Sequence, residues 1–127
     1  SDWIYNEFKN KKIIYGFIDS FYSPLSVDTV SKIILKIISN KNHKKSGIFN
    51  IGSKKGISKY QLIKKFAKGI GFFEKRLLKK SKINTVCKTK RSKFNRLKSN
   101  KFEKMFKIKL PNTSIEIKKI VKTYNEN

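Results

Sequence analysis

Several residue types are nearly absent from this chain of 127 residues, and each scarcity excludes a kind of site. Cys87 is the only cysteine, so no disulfide can form within the chain, and a reducing, cytoplasmic location is expected. His43 is the only histidine, and one His with one distant Cys does not provide the ligands of a metal site. The eight acidic residues are scattered, so the sequence offers no paired carboxylates for general acid–base catalysis.

Long apolar runs and a glycine-rich phosphate loop are also missing. No apolar run approaches the length of about 20 residues that a membrane-spanning helix needs, and no signal peptide is visible. Gly47, Gly52 and Gly56 do not follow the G-x-G-x-x-G order that binds a dinucleotide. We therefore expect no membrane partner, no catalytic residue, and no cofactor bound by this chain alone.

Positive charge is what the chain has in excess, with 32 Lys and Arg residues giving a formal net charge of +24. Such a balance suggests a nucleic-acid partner, and five Tyr and ten Phe residues are available for stacking on bases. However, only Arg76, Arg91 and Arg96 carry the guanidinium that recognises phosphates and bases with paired hydrogen bonds. The lysines are spread over the whole chain, which favours a general composition over a binding patch. A basic nucleic-acid-binding module remains the alternative.

The spacing of apolar residues predicts a mixed α/β fold, with short strands and packing helices in one domain. Helices are predicted over Ser1–Asn10, Ser26–Ile38 and Ser58–Ile70, and two more begin at Asn100 and Thr113. Strands are predicted over Lys12–Ile18, Gly47–Ile51 and Ile83–Cys87, with a short extended piece at Phe21–Ser26.

Capping signals mark where these helices begin. Ser58 and Gln61 form an S-x-x-Q capping box, and Thr113 with Glu116 forms a second one. Ser26 is the expected cap of a helix with a broad apolar face. If a neighbouring domain normally covers the apolar faces of Val27–Ile38 and Ile57–Ile70, they are left exposed here, and we expect poor solubility of the isolated chain.

Tyr60 and Lys64 have the Y-x-x-x-K spacing of the short-chain dehydrogenases, in which the lysine lowers the pKa of the phenol. The pair lies in the first turns of a helix, directly after its capping box, and no phosphate loop precedes it. We therefore interpret Tyr60 as a packing or surface residue rather than a proton donor.

The remaining chemistry is anion binding. Arg91, together with Asn95 and Arg96, follows a predicted strand, and guanidinium groups can clamp a diphosphate through parallel hydrogen bonds. The alternative is that these residues are solvated cations of a loop.

Four segments resemble the C-terminal substrate-binding part of dTDP-4-dehydrorhamnose reductases, which are sugar-nucleotide members of the extended short-chain dehydrogenase/reductase family. The turn DSFYSPL over Asp19–Leu25 is similar to the family's Ser-Pro turn before a helix. GIFNIG over Gly47–Gly52 and ISKY over Ile57–Tyr60 are similar to its Gly-Ile-Tyr-His/Asn strand and Ile-Ser-Lys-Tyr helix start. The fourth segment, Lys90–Pro111, is similar to its Arg-Pro…Ser-Leu…Ser-Lys-Leu…Leu-Pro ending.

The resemblance covers nearly the whole chain and implies a two-part enzyme. Residues 1–127 would form the substrate-binding C-terminal region of a truncated reductase, inactive alone, and the missing N-terminal Rossmann domain would hold NADPH or NADH and the catalytic residues. Arg91 would lie near the diphosphate of a nucleotide-diphospho-4-keto-sugar, and the turn from Phe21 to Pro24 would border the sugar or base. The implied role is precursor synthesis for cell-surface polysaccharide. An epimerase or dehydratase of the same family remains open.

Overall fold

The computed structural model describes residues 2–39, 46–87 and 89–126, so His43 lies outside the described residues. Within these ranges the chain forms six helices and five short strands. The helices are α1 (Asp2–Lys9), α2 (Val27–Ser39), α3 (Lys59–Gly69), α4 (Ile83–Val86), α5 (Asn100–Phe106) and α6 (Thr113–Glu126). The strands are β1 (Ile14–Phe17), β2 (Phe21–Tyr22), β3 (Ile57–Ser58), β4 (Leu78–Ser81) and β5 (Phe94–Asn95).

The strands form two small sheets. Strands β1 and β4 are parallel, with Ile14 opposite Leu78, so the carboxyl ends of both strands lie at one edge. In the second sheet β2 lies in the centre, antiparallel to β3 and parallel to β5. Residues distant in sequence therefore meet around β2, which is only two residues long.

A first hydrophobic cluster joins α1, α3, β1 and β4, and residues of α6 pack against it. Helix α3 begins where the capping signal predicts, because the Ser58 Oγ accepts a hydrogen bond from the Gln61 N–H at 3.2 Å. The helix packs closely on α6, since a Cβ on Gly69 would lie 2.6 Å from a methyl group of Val121. Burial of each large apolar side chain in this cluster contributes about 1.5–3 kcal/mol.

A second cluster holds α2 against α5 and the segment that follows α5. It consists of Ile33, Phe102, Phe106 and Leu110, and Phe49 packs edge-on against Phe106 with ring centroids 5.1 Å apart. Helix α2 buries Ile33 in this cluster and leaves a second apolar face exposed, formed by Val27, Ile34, Leu35 and Ile38. The predicted cap is confirmed, because the Ser26 Oγ accepts a hydrogen bond from the Thr29 N–H.

The prediction of a strand over Gly47–Ile51 is wrong. The segment forms no ladder with the described part of the chain; instead, Phe49 and Ile51 pack against the second cluster while Ile48 is 89% exposed. A strand-forming composition becomes a strand only when another edge is available for pairing.

The prediction of a strand over Ile83–Cys87 is also wrong, since Ile83–Val86 forms the short helix α4. A short apolar run does not distinguish a strand from a helix by its pattern. The helix begins here because the Asp19 Oδ1 accepts a hydrogen bond from the Ile83 N–H at 2.9 Å, and sequence periodicity cannot reveal such a contact.

Candidate anion-binding site

The pairing of β2 with β5 places an aromatic pair beside an arginine. Phe21 lies opposite Phe94 in the parallel register, and the two rings are stacked with centroids 6.5 Å apart and an interplanar angle of 7°. The Arg96 Cζ lies 5.3 Å from the centroid of the Phe21 ring, within the range of a cation–π contact. The guanidinium is thus held against a flat apolar surface.

Arg96 also lines a cleft of about 690 Å³ that we call the basic cleft. The cleft lies where the β2–α2 turn, the residues before β3, the residues after β5 and the start of α5 meet. Its charged lining residues are Lys54, Lys55, Arg96, Lys98, Lys104 and Glu103, and its hydroxyl groups belong to Ser23, Ser53 and Ser99. Five cations and one carboxylate give the cleft an excess of positive charge, which attracts anions.

The Lys55–Gly56 turn leaves space for the Arg96 side chain. Both residues are left-handed, with φ of 71° at Lys55 and 58° at Gly56. A Cβ on Gly56 would collide with the Arg96 Cδ, so any larger residue would have to displace the arginine that lies across the turn.

Ser23 ties together the walls of the basic cleft. Its carbonyl oxygen accepts a hydrogen bond from the Ser53 N–H at 3.2 Å, and its hydroxyl oxygen accepts one from the Leu97 N–H at 3.3 Å. On the opposite wall the Ser99 Oγ accepts a hydrogen bond from the Gly52 N–H at 3.0 Å. Three segments distant in sequence are therefore joined by one backbone hydrogen bond and two serine side chains.

Glu103 is the acidic residue of the cleft, and its negative charge is balanced by the ammonium group of Lys54. Burial opposes ionisation of the carboxyl, but the Leu110 N–H and the Lys54 ammonium outweigh burial and lower the pKa of Glu103 below its ordinary value. The Lys54 Nζ lies 2.9 Å from the Glu103 Oε1. The positive charges of Lys55, Arg96, Lys98 and Lys104 remain in excess.

The first turn of α6 supports the cleft from behind. The Thr113 Oγ1 donates a hydrogen bond to the Lys54 carbonyl oxygen at 2.7 Å and lies 2.8 Å from the Ser53 Oγ. Ser53 and Thr113 are both buried, so these bonds are shielded from water. The backbone of Lys54 is thereby anchored, and Lys54 and Lys55 both line the cleft.

The predicted capping box of Thr113 and Glu116 is wrong. Glu116 is fully buried and turns to the start of α2, where its Oε2 accepts hydrogen bonds from the Ser26 N–H at 2.8 Å and the Ser26 hydroxyl at 2.9 Å. Its Oε1 accepts a hydrogen bond from the Thr29 hydroxyl at 2.9 Å, and the Lys119 Nζ lies 3.3 Å away. Burial raises the pKa of Glu116, but these four donors outweigh it and lower the pKa below its ordinary value.

The predicted site residues are brought together only in part. Phe21, Asn95 and Arg96 meet at the β2–β5 pair, and the Asn95 side chain donates a hydrogen bond to the Ser92 carbonyl oxygen at 3.2 Å. Arg91 is exposed on the preceding connection, where its N–H donates to the Asn84 Oδ1 at 3.3 Å. Pro24 lines a different, mainly apolar cleft of about 1120 Å³ between α1, α2, α3 and α6.

Sequence reasoning missed most of the basic residues of the cleft, namely Lys54, Lys55, Lys98 and Lys104. In so lysine-rich a chain no single lysine stands out. The available signal was the run Gly-Ser-Lys-Lys-Gly at 52–56, because closely spaced glycines allow backbone conformations that place side chains into a turn.

Tyr60 lies outside this cleft. It is half-buried against the first hydrophobic cluster, and the Lys80 Nζ lies 5.7 Å from the centroid of its ring. In the described ranges there is no group of three His, Cys, Asp or Glu residues that could hold a metal ion. Over the same residues, every helix is too short or too polar to cross a membrane.

A family model described as the RmlD substrate binding domain matches residues 3–126 of this chain. Among curated protein sequences, none is significantly similar to it.

Solved structures of longer proteins share the fold. A dTDP-4-dehydrorhamnose reductase of Clostridium acetobutylicum ATCC 824 superimposes with a TM-score of 0.82 at 18% identity, over 98% of this chain and 43% of that protein. The dTDP-4-dehydrorhamnose reductase of Bacillus anthracis str. Ames, solved with NADP, gives a TM-score of 0.79 at 15% identity, over 96% and 42%. The dTDP-glucose 4,6-dehydratase of the same strain, solved with NAD, gives a TM-score of 0.68 at 12% identity, over 98% of this chain and 38% of that protein.

This chain spans less than half the length of those three proteins. The predicted fold class is confirmed: a mixed α/β unit equivalent to the C-terminal portion of such reductases.

Proposed function

The chain belongs to the RmlD substrate binding domain family, and from that premise we propose that it binds the nucleotide-diphospho-4-keto-sugar of an NAD(P)H-dependent reductase. The parent enzyme would serve cell-surface polysaccharide synthesis in the cytoplasm. The observation that carries the proposal is the basic cleft, with its excess of cations and its arginine held on an aromatic ring.

The division of work in the parent follows from what this chain contributes. An N-terminal Rossmann domain would hold NADPH or NADH, which supplies the hydride for the ketone, together with the residues that protonate the resulting oxygen. The present chain would cover the nucleotide sugar and form the walls of its pocket. Alone, it would bind substrate without turning it over.

The diphosphate is the part of the substrate that the basic cleft suits best. The Arg96 guanidinium can give two parallel hydrogen bonds to phosphate oxygens, and Lys55 and Lys98 can add charge from either side. The stacked rings of Phe21 and Phe94 offer an adjacent surface for the base. Arg91 and Asn95 belong to the same proposed surface, whereas Pro24 would act through the turn from Phe21 that it ends.

An epimerase or dehydratase of the extended family is the second candidate, and the likeness to the dTDP-glucose dehydratase supports it. The reductase is favoured by the family model and by the higher TM-scores of the two reductases. A nucleic-acid-binding module has less support. Such a module presents a row of aromatic side chains on which successive bases stack, whereas Phe21 and Phe94 form one stacked pair.

The test is an assay of the full-length protein with a dTDP-4-keto-sugar and each nicotinamide cofactor. The proposal predicts oxidation of NADPH or NADH that depends on the keto-sugar. Release of an epimerised or dehydrated sugar without net cofactor consumption would favour the second candidate. Absence of any reaction with all nucleotide sugars would contradict the proposal.

A further inference from the structure

Asp19 carries a carboxylate oxygen that accepts no hydrogen bond from the described residues. Its Oδ1 accepts a hydrogen bond from the Ile83 N–H at 2.9 Å, whereas its Oδ2 is buried and has no hydrogen-bond partner among the described residues. Among the described residues, the ion-pair partner of this oxygen is the Lys93 Nζ, which lies 3.8 Å away, too far for a hydrogen bond. A buried, unsatisfied acceptor is costly, most of all when it is charged, so it calls for a donor.

The position of Asp19 is where a ligand is expected. It follows β1, and its partner Ile83 follows β4, so the carboxylate lies at the edge where both parallel strands have their carboxyl ends. Ligands of α/β proteins bind preferentially beyond the carboxyl ends of parallel strands.

Other groups of the proposed site are connected to this edge by successive contacts. Asn84, next to Ile83, holds the backbone of Arg91, and the Lys93 carbonyl oxygen accepts a hydrogen bond from the Phe21 N–H at 3.0 Å. Phe21 in turn stacks on Phe94 and carries Arg96. The Asp19 carboxylate, the Phe21–Phe94 pair and the two arginines, Arg91 and Arg96, are thus connected through a short series of neighbouring contacts.

We propose that the Asp19 Oδ2 is the acceptor for a hydroxyl group of the substrate's sugar. The inference rests on the proposed function and adds a carboxylate that would recognise the sugar rather than the nucleotide. The Lys93 side chain, 48% exposed and therefore free to move, would leave the oxygen as the sugar hydroxyl arrives. A carboxylate suits this role because it only accepts hydrogen bonds, and every sugar hydroxyl can donate one.

The test compares the binding of dTDP-glucose and of dTDP to this chain by titration calorimetry. The wild type should bind dTDP-glucose more tightly than dTDP by about tenfold, since hydrogen bonds to charged groups are the strong ones. Asp19→Asn keeps an oxygen for the Ile83 N–H but replaces the free acceptor with an amide donor. It should abolish this preference and leave dTDP binding unchanged.

Asp28→Asn is the matched control, because it makes the same change of charge at an exposed residue that pairs with Lys32. It should keep the preference for dTDP-glucose. In the wild type, the carboxyl carbon resonance of Asp19 should shift when dTDP-glucose is added and not when dTDP is added.

The competing explanation is that Lys93 alone serves the oxygen by closing the gap of 3.8 Å. In that case Asp19→Asn and Lys93→Gln would lower the melting temperature non-additively, and the preference for the sugar would survive in both. That result would overturn the role of Asp19 and leave the proposed function intact. Binding of neither ligand by the wild type would contradict both.

Discussion

The side of the molecule formed by α1, α3 and α6 differs from the side formed by β2, β5 and the basic cleft in what holds it together. On the first side, apolar side chains such as Phe66 and Ile63 are buried in one cluster. On the second side, every residue from 89 to 98 is exposed, and the walls are held by backbone hydrogen bonds that the Ser23 and Ser99 hydroxyl oxygens accept from Leu97 and Gly52. The apolar side is built for stability, and the polar side leaves its side chains free to meet a ligand.

The largest expected difference in folding stability is between alanine substitutions of two phenylalanines, one on each side. Phe66→Ala should lower the free energy of unfolding by about 3–5 kcal/mol, because Phe66 is buried in the first cluster and packs edge-on against Tyr124. Phe94→Ala should change it by less than about 1 kcal/mol, since Phe94 is 70% exposed. Urea denaturation of both variants measures the difference, and equal losses would show that the two sides are not distinct.

Glu116 links the two sides through the start of α2, and its effect should be smaller. Glu116→Gln places an amide donor against the Ser26 N–H and should cost about 1–3 kcal/mol at neutral pH, measured by urea denaturation. Because the pKa of Glu116 is lowered from 4.5 in the folded state, its contribution is present above about pH 4.5 and is lost as the pH falls through the lowered value.

Wild-type stability should therefore fall more steeply below pH 4.5 than that of Glu116→Gln. Glu74→Gln, which alters a pair with Arg76 on the surface, is the control and should keep the wild-type slope. Identical acid profiles for wild type and Glu116→Gln would contradict the network.

Alanine substitutions at two glycines distinguish the effect of backbone strain on stability from the effect of the cleft's shape on binding. Gly56→Ala and Gly71→Ala both place a side chain at positive φ and should each cost about 1–2 kcal/mol in thermal or urea unfolding. Only Gly56→Ala also displaces Arg96, because a Cβ on Gly71 would meet nothing within 4 Å. Gly56→Ala alone should weaken dTDP binding, and an equal effect of Gly71→Ala would refute this role of the turn.

The smallest expected effect on folding belongs to the cleft's arginine. Arg96→Gln should leave stability within about 0.5 kcal/mol, since exposed residues contribute little. It should weaken dTDP binding by about tenfold through the loss of a charge-assisted pair of hydrogen bonds. Arg76→Gln removes the same charge from an exposed residue outside the cleft and should bind dTDP as the wild type does in calorimetry. Equal losses would mean that net charge alone attracts the nucleotide.

Local signals predicted those parts of the fold that depend on neighbours in sequence. The capping residues Ser26 and Ser58 are used as expected, because an N-cap needs only the N–H groups two or three residues later. Glu116 carries the same local pattern but bonds to Ser26, 90 residues away, since a buried carboxylate takes the strongest set of donors within reach. Gly47–Ile51 has the composition of a strand, but no partner edge lies beside it in the described part of the chain.

Of the residues around the basic cleft and the β2–β5 pair, the sequence pointed only to Phe21, Asn95 and Arg96. Phe21 and Arg96 stood out by residue type and by the family resemblance. The contributions of Lys55 and Asp19 depend on a left-handed turn and on a contact with Ile83 across 64 residues. Neither feature leaves a periodic trace in a chain with so many lysines.

Titration of the isotopically labelled chain with dTDP-glucose, followed residue by residue in NMR spectra, tests the central claim most directly. The account predicts saturable shifts concentrated at Asp19, Phe21, Gly56 and Arg96, with little change along α3. Shifts that do not saturate and follow the lysines over the whole surface, or that centre on the apolar cleft around Pro24, would contradict it.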